Sequence, residues 1–125
     1  MKENDITSII LDRSIVIHKT LGPGLLESVY ETCLFHELSK AGLSLERQKA
    51  MPLIYDGTHM ESGYRLDLMV ERKVIVEVKS VEALNDLHLA QTLTYLRLSE
   101  CKVGLLINFN VSLLKNGFRR IVNNY

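Results

Sequence analysis

The sequence predicts an α/β fold in which helices flank one mixed β-sheet, and three observations carry that prediction. Apolar residues recur at helical spacing from residue 6 to about residue 41. Strand-like segments then alternate around an Asp56-Gly57 turn signal. After a further helical segment comes an unbroken apolar run, Val103-Gly104-Leu105-Leu106-Ile107, as expected of a buried strand.

Each element has its own justification. Residues 6 to 20 place Ile6, Ile9, Ile10, Val16 and Ile17 on an amphipathic helix with Asp5 as its N-cap, and Gly22-Pro23-Gly24 stops it. A second helix over about 25 to 41 turns Leu26, Val29, Tyr30, Cys33, Leu34 and Leu38 inward and ends at Gly42. Strands follow at 51 to 55, about 63 to 70 and about 73 to 79, the first two joined by Asp56-Gly57. A third helix covers about 83 to 98, and residues 118 to 122 form an edge strand or a helix, their pattern fitting both.

Composition narrows the function classes. The 125 residues, 46% of them hydrophobic, suffice for one domain with one core, so the expectation is a single domain over 1–125. No apolar run approaches the ~18 residues of a membrane span, and the start lacks the pattern of a secretory signal. Cys33 and Cys101 have no metal-ligand spacing and read as reduced thiols in a cytoplasmic protein. The formal net charge of zero disfavours a protein that lives on non-specific duplex affinity. A small basic patch from Arg47 and Lys49, or from Lys115, Arg119 and Arg120, remains compatible with it; singly, each reads as a solvated charge.

The stretch from Gly63 to Lys79 carries the chemistry. Strand side chains alternate between faces, so Arg65, Asp67 and Met69 share one face, as do Ile75, Glu77 and Lys79. A tight reversal around Glu71-Arg72-Lys73 places residue 70 opposite 74 and Asp67 opposite Glu77. Cross-strand neighbours lie roughly 4.5–5.5 Å apart at Cβ. Two like charges at that distance repel, and burial sharpens the repulsion. Lys79 offsets one charge. A divalent cation offsets both, and one or two carboxylates are what Mg²⁺ prefers. The plainer reading is a solvated hairpin face with an ordinary Glu–Lys contact.

Two helices contribute further polar residues. Glu27 borders the apolar stripe of the second helix, so it is either a buried-edge carboxylate in need of a partner or a first-turn Glu favoured by the helix dipole. His88, Gln91 and Tyr95 form one polar stripe on the third helix. That stripe is either a half-exposed face or a row of donors aimed at a substrate.

These residues also carry a resemblance. Gly24-Leu-Leu-Glu27-Ser-Val-Tyr30 resembles the Gly-x-x-Glu-x-x-Tyr signature of the GxxExxY family, found in bacteria and archaea. Asp67…Glu77-x-Lys79 and Gln91-x-x-x-Tyr95 look like later elements of the same family, within the PD-(D/E)XK nuclease superfamily. The resemblance runs from the His18 region to about residue 122 and implies a restriction-endonuclease-like core of helix, three strands, helix and strand. It departs at position 66, where the superfamily name calls for Pro and this chain has Leu, a position that carries no ligand.

The resemblance implies roles. Asp67 and Glu77 would bind Mg²⁺, with Mn²⁺ able to substitute, and Glu27 would match an additional metal-shell carboxylate. Lys79 would orient or help deprotonate the attacking water, or stabilise developing charge. Beside two carboxylates a Lys is a poor base, so positioning and charge stabilisation come first. Gln91 and Tyr95, with His88 one turn earlier, would support the site and contact nucleic acid. The resulting expectation is an Mg²⁺-dependent nuclease acting on DNA, possible as a homodimer. The alternatives are a nuclease-fold module that binds nucleic acid or protein without cleaving, and a structural homodimer with a vestigial site.

Overall fold

The computed structural model describes residues 1–124. The element order is α1 (Glu3–Leu21), α2 (Glu27–Lys40), β1 (Leu45–Tyr55), β2 (Thr58–Val70), β3 (Val74–Lys79), α3 (Asp86–Ser99), β4 (Val103–Asn108), a 3₁₀ turn (Leu114–Gly117) and β5 (Phe118–Val122). The five strands form one mixed sheet in the order β1-β2-β3-β4-β5. Pairing is antiparallel except between β3 and β4, which run parallel. A parallel pair cannot be closed by a hairpin, and α3 supplies the crossover.

Helices cover both faces. Ile6, Ile10 and Ile17 of α1 and Tyr30, Leu34 and Leu38 of α2 pack with Leu68, Val70, Val74, Val76, Val78, Leu105 and Ile107. On the other face, Leu96 of α3 packs with Leu66, Met69, Ile75 and Cys101. All six residues of β4 are buried, which is why its first five, Val103 to Ile107, form an unbroken apolar run.

Local chemistry sets the boundaries. Asp56 and Gly57 both have positive φ, 47° and 77°, as a two-residue hairpin turn requires. Glu71 and Arg72 also adopt positive φ, 54° each, and Lys73 N donates to Val70 O at 3.0 Å, closing the turn into β3. Helix α2 ends in a Schellman arrangement: Gly42, at φ 84°, donates to Ser39 O, and Leu43 N donates to Leu38 O at 3.2 Å.

Several expectations need correction. Helix α1 starts at Glu3, so Asp5 is not its N-cap; it lies in the first turn, where its carboxylate accepts from Lys2 N. Val16, Leu26 and Val29 are exposed rather than inward. Leu26 precedes α2 instead of lying in it. The first strand begins at Leu45, before the predicted 51, because an edge strand tolerates polar residues on both faces. Helix α3 starts at Asp86, capped by Asn85, whose side chain accepts from His88 N at 3.0 Å. Residues 118–122 form a strand, antiparallel to β4.

The Gly-x-x-Glu-x-x-Tyr segment has a mechanical role. Tyr30 is fully buried and stacks on Phe109 with ring centroids 4.6 Å apart. Its hydroxyl donates to Gly22 O at 2.6 Å and accepts from Leu25 N at 3.1 Å, clamping the loop ahead of its own helix. Tyr30→Phe is expected to lower stability by about 1–3 kcal/mol, since two backbone groups lose a buried partner. Urea denaturation checks this, and a change within about 0.5 kcal/mol would contradict the clamp.

Candidate active site

Regular pairing of β2 with β3 ends at Leu68↔Val76. Beyond that point side chains replace the backbone ladder. Asp67 N donates to Glu77 Oε2 at 2.9 Å, and Val78 N donates to Asp67 Oδ2 at 2.8 Å. The two carboxylates are therefore interlocked between separating strands. Strict alternation also fails here: Leu66 packs with Met69 and Ile75, although the predicted alternation places it on the opposite face. Asp67 marks the break.

The electrostatics follow from burial. Glu77 is 3% exposed, and its carboxyl is pushed up to about 8, first by burial and then by the neighbouring Asp67 charge. Burial likewise raises Asp67, and Glu31 adds to it, while the Val78 N–H, Lys79 and Gln48 pull the other way. Lys79, the last residue of β3, attracts both carboxylates. Its strand partner is Asn108 on β4.

The helix carboxylate that bears on this pair is Glu31, one turn beyond Glu27. Glu31 is buried, and its charge acts on both Asp67 and Glu77. Arg47 Nε pairs with Glu31 Oε2 at 2.7 Å, and Gln48 Nε2 donates to Glu31 Oε1 at 2.6 Å and to Asp67 Oδ1 at 3.3 Å. Glu27 is exposed and accepts from Ser80 N at 3.3 Å, while Ser80 Oγ donates to Leu25 O at 2.6 Å. It staples the start of α2 to the segment just after Lys79. The expected set of Asp67, Glu77 and Glu27 is not assembled: among the described residues no three His, Cys, Asp or Glu side chains converge tightly enough to hold a metal ion. The donors that do fit a hard cation are the hard oxygens of Asp67 and Glu77, whose mutual repulsion Lys79 only partly relieves.

On α3, Tyr95 is half-buried, packs its ring at a tilt against Tyr64 with centroids 5.0 Å apart, and has its hydroxyl pKa raised by burial and then by the Glu77 and Asp67 charges. Gln91 is exposed one turn earlier. His88 Nδ1 accepts from Asn85 N at 3.1 Å, which completes the cap of α3 and places the neutral ring's proton on Nε2.

Three residues escaped the sequence reading. Glu31 had a usable signal, being three residues before Leu34 and seven before Leu38 on the buried stripe. Gln48 had none, as one polar residue in a polar edge strand. Asn108, buried at the end of β4, accepts from Val81 N at 3.1 Å and donates to Val81 O at 3.0 Å, fixing the segment after Lys79. Gly117 lies so close to Asn108 O that a Cβ there would come within 2.1 Å of it. The suggested basic patches are partly spent on internal contacts: Arg47 on Glu31, Lys49 on Glu46, and Arg120 on Asn4 and Thr7.

No helix among the described residues is long and apolar enough to cross a membrane. Comparison with curated proteins and with solved structures gives no significant match. A family model described as the PD-(D/E)XK nuclease superfamily matches residues 4–121, a span that contains every element from Asn4 through the interlocked carboxylates to Ile121 of β5. With a five-stranded mixed sheet between helices and that match over nearly its whole length, the chain belongs to the PD-(D/E)XK nuclease superfamily.

Proposed function

We propose that this chain is a metal-dependent nuclease of the GxxExxY branch that hydrolyses phosphodiester bonds in DNA. The observation that carries the reading is the interlocked Asp67–Glu77 pair with Lys79 beside it, where β2 and β3 separate. Asp67 and Glu77 would hold Mg²⁺, or Mn²⁺ in its place. When bound, such a cation neutralises phosphate charge and makes water a better nucleophile.

The chain's own residues do the rest. Lys79 positions the scissile phosphate and offsets the charge that develops on it. Its place beside the two carboxylates favours charge stabilisation over proton abstraction. Tyr95, in the field of the same carboxylates, and Gln91, one turn away, line the substrate side. His88 offers its Nε2–H there. Glu27 serves through Ser80, holding the segment after Lys79 in place.

A second reading, a module that binds without cleaving, draws support from one observation: Arg47, Lys49 and Arg120 are engaged internally, which leaves fewer cations for phosphate contacts.

Metal binding is the first requirement of the nuclease reading. Mg²⁺ or Mn²⁺ is expected to raise the melting temperature, by the equivalent of about 2.7 kcal/mol at a roughly hundredfold excess over Kd. Asp67→Asn and Glu77→Gln should abolish the shift. Equal metal responses in wild type and both variants would sink the assignment.

A further inference from the structure

Gln48 lies at φ 48°, a left-handed conformation inside a strand, at a residue that is neither Gly nor part of a turn. The β1–β2 ladder pairs Arg47↔Leu68 and Lys49↔Leu66 and passes over Gln48. A regular strand sends adjacent side chains to opposite faces. Here both neighbours reach one carboxylate: Arg47 Nε meets Glu31 Oε2 at 2.7 Å, and Gln48 Nε2 meets Glu31 Oε1 at 2.6 Å. The left-handed residue breaks the alternation and makes this convergence possible.

The same amide nitrogen lies 3.3 Å from Asp67 Oδ1. An amide NH₂ has two hydrogens, and two carboxylate acceptors match them. The opposite amide orientation would set its oxygen against two carboxylates, so the nitrogen must face them. The result is one continuous chain, from Arg47 to Glu31 to Gln48 to Asp67. Val78 N holds the other oxygen of Asp67 at 2.8 Å. Asp67 is thus gripped on both oxygens, one side by β3 and the other by Gln48, whose own position is set by a helix carboxylate.

We propose that Gln48 is a positioning residue that fixes Asp67 for cation binding, with Glu31 and Arg47 as its anchor. This rests on the metal-dependent reading given above. Residues that orient a ligand in this way typically govern affinity by about 10–100-fold. A strained backbone held by convergent hydrogen bonds is also what a functional position, rather than a merely structural one, tends to store.

The test is calorimetric titration of Mn²⁺ into wild type, Gln48→Gly, Gln48→Asn and Glu31→Gln, and into the Glu31→Gln/Gln48→Gly double variant. Melting temperatures in chelator are measured alongside. Glycine accepts positive φ freely, so Gln48→Gly removes the amide without adding strain. It should bind Mn²⁺ about 10–100-fold more weakly, with its chelator melting temperature kept. Asparagine tolerates the same backbone but is one methylene short, so it should lose affinity and provides the test should the glycine variant not fold. If Gln48 acts through Glu31, the loss from Gln48→Gly should shrink in the Glu31→Gln background. Wild-type affinity in either Gln48 variant would overturn the role of Gln48 and leave the metal reading standing. Absence of Mn²⁺ binding in wild type would overturn both.

Discussion

In metal-free buffer the wild-type protein is expected to lose stability as pH rises from about 4.5 to about 8, the interval between the ordinary and the native values of the Glu77 carboxyl. Across that interval the folded protein retains a proton that the unfolded chain has released, so raising the pH favours unfolding. Burial is the first cause and the Asp67 charge the second. A rise from 4.5 to about 8, at about 1.4 kcal/mol per pH unit, sets a ceiling of roughly 5 kcal/mol. Asp67 is displaced in the same direction and adds to the slope. Glu77→Gln should flatten most of it, because a neutral amide still accepts from Asp67 N through its oxygen and releases no proton. Near pH 8 that variant should be more stable than wild type. Denaturant titrations at several pH values in chelator check this. A wild type equally stable across the range, or a variant with an unchanged slope, would contradict the charge conflict at the site.

Lys79→Ala should lower kcat by about 10²–10³, the usual cost of one donor aimed at developing charge. Its metal binding should be retained or tightened, because Lys79 attracts the same two carboxylates and so competes with a cation for them. Lys79→Arg should keep substantial activity: guanidinium carries the charge but cannot take a proton near neutral pH. Single-turnover cleavage rates with Mn²⁺ calorimetry on each variant measure both effects. A loss much below tenfold in Lys79→Ala would remove Lys79 from the chemistry, and an inactive Lys79→Arg would move it toward proton transfer.

What was legible in the sequence was what local chemistry fixes. The turn at Glu71-Arg72-Lys73 sets Val70 opposite Val74, and from that register the meeting of Asp67 with Glu77 follows by counting. Asp56-Gly57 has the residues that two consecutive positive φ angles favour. The unbroken run in β4 requires burial on both faces.

What was hidden depends on tertiary placement. Counting along a strand assumes regular pleating, and the strands separate at Asp67, so Leu66 joins the same cluster as Met69. The second helix carries carboxylates at Glu27 and Glu31, one turn apart, and only the packing of α2 against the sheet determines which one approaches Asp67. The reach of Gln48 comes from a left-handed backbone that no propensity scale favours for glutamine.

Whether Asp67, Glu77 and Lys79 make a metal-dependent nuclease, as we propose, is read from the cleavage of end-labelled single- and double-stranded DNA. Wild type with Mn²⁺ should convert substrate to shorter products, while chelated wild type and Glu77→Gln with Mn²⁺ should not. Intact DNA and intact RNA in the presence of wild type demonstrably loaded with Mn²⁺ would contradict the claim and leave a nuclease fold that binds without cutting.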